Sequence, residues 1–131
     1  MTHPSTRREH RANRRSLRAE LRRRSAAHRL AASCRRRPRS LATVAIAAGV
    51  AKDTATGVVN GLRSVAKRLG VTPAATARTR RTVAGGRAHR THTVTRWTLA
   101  QVARLTAAYR PRKAEYIAAV ALIAAFAGGA R

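Results

Sequence analysis

The chain has 131 residues, with 29 Lys plus Arg against 4 Asp plus Glu for a net charge of +25, a length that suits one modest domain better than two. Leu, Ile, Val and Phe together supply 23 residues, and so few core-forming side chains under so high a charge predict a small folded centre with charged flanks. The four carboxylates, Glu9, Glu20, Asp53 and Glu115, are scattered along the chain, which leaves no acid/base pair and argues against an enzyme. Cys34 stands alone, so neither an intramolecular disulfide nor a multi-cysteine zinc site is expected. No metal and no cofactor are expected. A charge of this size calls for a partner of opposite charge density, and nucleic acid has it.

Residues 1–39 form an Arg-rich arm with 14 Arg, no Lys and two Glu. Leu17, Leu21 and Leu30 allow a weakly amphipathic helix over 16–32, since Arg and Ala favour helix. Alone, such a segment repels itself, and it is expected to be disordered or weakly helical until phosphates neutralise it. The alternative is a solvated tail. Pro38 closes the arm, because the residue before a proline is pushed out of helix. No apolar stretch follows the basic start, so no signal peptide is expected and the chain reads as cytoplasmic and nucleoid-associated.

From Ser40 the character changes. Between Leu41 and Leu62 the only charges are Lys52 and Asp53. Val44, Ala45, Ala48, Val50, Val58, Val59 and Leu62 are spaced to share one side of two successive helices, with Gly49 at the corner. The run Leu41–Gly61 resembles the helix-turn-helix of lac-repressor-type regulators, whose pattern is V-A-x-x-A-G-V-S-x-x-T-V-S-R-V-x-N-G. Val44, Ala45, Ala48, Gly49, Val50, Thr54, Val58, Asn60 and Gly61 match it in register. Where that family carries an arginine near the middle of its recognition helix this chain has Gly57. A base-reading side chain is thereby lost, and a mid-helix glycine costs about 1 kcal/mol relative to alanine. No sugar-binding domain follows, so metabolite sensing does not carry over.

The next stretch has two readings. Val65–Arg78 is similar to a generic helix-turn-helix, repeating the first after 21 residues. Alternatively, Lys52 to Leu69 is one long helix capped by Gly70. Thr76–Ala84 and Arg87–Leu99 then make a hairpin around Gly85-Gly86. Alternation favours the hairpin: Thr91, Thr93, Thr95 and Trp97 fall on one face, His92, Val94 and Arg96 on the other. The fold expected on this reading is mainly α, a small winged helix-turn-helix domain over 40–110 with a β-hairpin wing.

Residues 111–131 are expected to be an Ala-rich C-terminal helix. Before it, Thr98 and Gln101 make a capping-box pattern, followed by Leu99, Val102, Leu105 and Tyr109 at helical spacing and then Pro111. From Tyr116 to Ala130 the chain carries no charge over 15 residues, short of the roughly 20 that cross a bilayer. That helix is expected to pack on the domain or on a second copy to give a homodimer. A membrane anchor over 116–130 is the lesser alternative.

The resemblance implies a partner, double-stranded DNA, and a reading face on the second helix made of Lys52, Asp53, Thr56 and Asn60. Lys donates to guanine, Asn pairs with adenine, and Thr offers a hydroxyl and a methyl group. Asp53 also has a plainer explanation, since an acid in the first turn of a helix is stabilised by the dipole. Arg63, Lys67 and Arg68 lie further along, where phosphates run, and Arg78, Arg80, Arg81, Arg87, Arg90 and Arg96 populate the wing. His89 and His92 lack further metal ligands, and Gly85-Gly86 lacks the ending of a phosphate-binding loop. Trp97 reads as the hairpin's core anchor. The expected function is transcriptional regulation or DNA maintenance without catalysis. The alternative from another class is a sequence-neutral basic protein of RNA or the ribosome.

Overall fold

The computed structural model describes residues 6–82, 86 and 89–129, and of residues 81, 82, 89 and 90 the backbone alone. Helix α1 (Arg7–Arg36) leads to a short α2 (Leu41–Ala47) and a long α3 (Lys52–Leu69). Strands β1 (Ala75–Thr82) and β2 (His89–Arg96) follow, then α4 (Leu99–Ala108) and α5 (Ala114–Gly128). The architecture is mainly helical, with one two-stranded antiparallel sheet.

The turns are set by local chemistry. At the end of α2, Gly49 takes φ +95°, its N–H reaching the Ile46 carbonyl while the Val50 N–H reaches that of Ala45. This paired closure needs a left-handed residue, which glycine supplies without steric cost. Gly70 ends α3 in the same way with φ +68°, so Lys52–Leu69 is a single helix. Strand β1 then occupies the place of a second helix-turn-helix, which disposes of the tandem reading. The register pairs Ala75 with Arg96 and Thr82 with His89. Gly86 has φ +72°, whereas Gly85 lies outside the described residues.

Helix α3 is the spine of the core. Its Ala55, Val58, Val59, Leu62, Val65 and Ala66 are buried against Val44 of α2, Val102 and Leu105 of α4, and Ile123 of α5. Fully burying a Leu or Ile side chain contributes about 1.5–3 kcal/mol, and Leu62, Leu105 and Ile123 are the largest to reach that state. Thr98 opens α4 with the expected capping box, its hydroxyl accepting from the Gln101 N–H. The Gln101 side-chain amide donates to the Thr72 carbonyl at 2.8 Å, tying α4 to the loop after α3. Helix α5 buries Ala119, Val120, Ile123 and Ala127. Among the described residues no helix is long and apolar enough to cross a membrane.

The basic arm differs from expectation. Instead of a disordered or weakly helical segment centred on 16–32, it is one 30-residue helix. Thr6 and Glu9 form a capping box at its start, and Arg and Ala are good helix formers throughout. Leu17 and Leu21 are not a packing face, since both are well over half exposed. Contact with the body begins at the half-buried Leu30 and closes at Cys34, which is 3% exposed and joins the core. Two residues past Arg37, Arg39 exchanges backbone hydrogen bonds with Trp97 at 3.1 and 2.8 Å. Trp97 is buried, and its indole N–H donates to the Thr95 hydroxyl. The packed core thus draws on residues beyond both 39 and 111.

Candidate nucleic-acid interface

At 100° per residue, Lys52, Thr56, Asn60, Arg63 and Lys67 fall in one stripe along α3 about 80° wide, and all five are exposed. Opposite them lie the buried alanines, valines and Leu62, so the same periodicity that builds the core presents the polar residues together. The Thr56 hydroxyl donates to the Lys52 carbonyl at 3.2 Å, which leaves its methyl and remaining lone pair outward. The Asn60 carboxamide makes no hydrogen bond to a described residue. Asp53 sits at the edge of the stripe in the first turn of α3, where Ala51 provides no side-chain cap. There it complements the helix dipole.

Two clefts flank the stripe. One, of about 530 Å³, is bounded by Lys52, Thr56, Asn60 and Arg63 on α3, by Ile46 on α2, and by Leu30 and Arg39. The other, of about 790 Å³, brings Arg63 and Lys67 opposite His92, Val94 and Trp97. The hairpin therefore stands beside the C-terminal half of the stripe. On β1, Arg78 and Arg80 are exposed and two residues apart, opposite Thr93 and Thr91, so both project from one face of the strand.

The structure separates the remaining cations. Arg68 turns away from the stripe and donates to the Ala108 carbonyl at 3.4 Å, on the side of α4. The backbone places Arg81 opposite Arg90 in the sheet, but their side chains, and the whole of Arg87, lie outside the described residues. Among the described residues no group of three His, Cys, Asp or Glu comes together.

Gly57 and Gly61 are explained by packing. A Cβ on Gly57 would collide with the phenol of Tyr116, and one on Gly61 with that of Tyr109. The position where lac-repressor-type helices carry an arginine thus faces α5 and not the stripe. Sequence reading missed this, and it missed Arg39, grouped with the arm but set beside Lys52 and Asn60 by its bridge to Trp97. No signal in the sequence identifies that bridge.

No family model, no curated protein and no solved structure matches the chain.

Proposed function

We propose that this chain is a double-stranded-DNA-binding protein, a small winged helix-turn-helix regulator or DNA-maintenance factor that acts without catalysis at the nucleoid. The observation that carries the reading is the exposed stripe Lys52–Thr56–Asn60–Arg63–Lys67, delivered by the helix that follows the Gly49 corner. Base readout needs short polar side chains with cations beside them on one helix face, and the stripe has that composition. Asn60 and Lys52 take the base edges. Arg63 and Lys67 take phosphates, and the hairpin sets Arg78 and Arg80 against the flanking backbone or groove. Arg68, off the stripe and bonded to the Ala108 carbonyl, adds charge and a phosphate donor at its margin.

A second reading has one observation in its favour. Arginines crowd the long exposed helix α1, and charge alone binds any nucleic acid. The test is selection of bound duplexes from a random pool, followed by two substitutions. Asn60→Ala should cost about 1–3 kcal/mol on the selected site and much less on random DNA. Arg80→Ala should weaken both alike. No enriched motif, together with equal affinity for random DNA and RNA, would make the chain a sequence-neutral binder and overturn the regulator.

A further inference from the structure

The arginines of α1 are not spread evenly around it. Between residues 7 and 29 there are ten, and at 100° per residue eight of them fall within an arc of about 120°. Arg7, Arg11, Arg14, Arg18, Arg22 and Arg29 form its spine, three, four or seven residues apart, with Arg8 and Arg15 on its shoulder. The two exceptions are Arg23 and Arg24, and the second is drawn off by Glu20 at 2.6 Å. Both carboxylates of the helix, Glu9 and Glu20, lie on the side opposite the arc. So does Cys34, through which α1 docks on the body. The arginine arc therefore looks away from the protein core.

We infer that α1 bears a second nucleic-acid surface, a phosphate-tracking arginine ridge laid along double-stranded DNA. The ridge from Arg7 to Arg29 is about 33 Å long at 1.5 Å per residue, about one turn of duplex. Its residue types favour phosphates over bases, since Asn13 falls on the far side of the helix and Ser25 is the one short polar side chain within the spine. The ridge thus supplies affinity with little sequence preference. A membrane surface is the weaker fit, because an interfacial helix needs an apolar face and α1 offers the exposed pair Leu17 and Leu21. The inference takes its partner from the DNA-binding reading but does not depend on base readout by α3.

Two variants of the full chain remove the same charge from different places. Arg14→Gln/Arg18→Gln cuts the ridge, and Arg23→Gln/Arg24→Gln cuts beside it. Gln supports helix nearly as well as Arg, and circular dichroism checks that helicity is equal. Binding to a random-sequence DNA duplex is followed across a salt series, where each phosphate contact adds about 0.9 to the slope of log K against log salt. The ridge variant should lower the slope by about 1.8, the other by less than half of that. Arg14→Lys/Arg18→Lys should restore the slope, since counterion release depends on charge. Equal losses from the two Gln variants would mean undirected charge and overturn the ridge. Tighter binding to phosphatidylserine vesicles than to duplex, abolished by the ridge variant, would overturn it in favour of a membrane. A ridge effect that persists while Asn60→Ala changes nothing would instead defeat base readout by α3 and leave the ridge standing.

Discussion

The phenol of Tyr116 on α5 fills the space above Gly57 of α3 that any side chain would need. The glycine is thus a socket for the ring, one of the contacts by which α5 meets α3. Tyr109 stands over Gly61 in the same way one turn later.

Gly57→Ala should therefore lower stability by about 1–3 kcal/mol through overpacking, although alanine is the better helix former by about 1 kcal/mol. Chemical denaturation measures it. Combining the change with Tyr116→Ala should cost less than the two single changes added together, as expected for residues in contact. A stabilising Gly57→Ala would mean that the ring does not occupy the socket.

Helix α5 distinguishes its two faces by substitution. Ile123 is 1% exposed and Ile117 53% exposed. Ile123→Ser should cost several kcal/mol, about the 2–5 typical of truncating a buried aliphatic, whereas Ile117→Ser should leave the melting temperature nearly unchanged. If two copies associate through the outer face, Ile117→Ser with Leu122→Ser lowers the mass seen by light scattering. An unchanged mass removes a homodimer built on this face.

Burial pushes the Cys34 thiol up, and Arg39 and Arg35 pull against it without cancelling the effect. Native protein at neutral pH should react slowly with a maleimide, and unfolded protein fast. The folded chain favours the neutral thiol, so this contribution to stability is intact below the unfolded thiol's ordinary range and declines as pH rises through the folded value. As pH rises from the ordinary thiol range upward, the native chain should therefore lose stability relative to Cys34→Ala. Parallel pH profiles for the two chains would refute this.

Trp97 carries both the Arg39 bridge and the end of the hairpin. Trp97→Ala should cost about 3–5 kcal/mol, as for other buried aromatic truncations. The C-terminal part of α1 should then lose amide-exchange protection together with β2. Loss confined to β2 would show that α1 is held by Cys34 alone.

What the sequence made legible was local. The Gly49 corner, the Gly70 stop and the Thr98–Gln101 box each depend on neighbours within a few residues, and each forms as expected. The exposed stripe of α3 was equally readable, since it is the complement of an apolar periodicity. The purpose of Gly57 was not, because its partner Tyr116 lies on another helix far along the chain and nothing at position 57 signals it. Arg39 was hidden for the same reason. The arm was misjudged because its charge was weighed as composition, and the spacing of its arginines, which polarises the helix, was not.

Helix α1 is clamped at one end. Cys34 sits in the core, Arg35 lies 5.5 Å from the centre of the Phe126 ring, and Arg39 is stitched to Trp97. From Cys34 back to Arg7 is about 40 Å at 1.5 Å per residue, which makes the helix a cantilever. A tilt of about 10° at the clamp would swing the tip by about 7 Å, sideways to the helix axis. Small changes in the packing of Cys34, Arg35 and Arg39 would thus be magnified several-fold in the position of the far end of the helix.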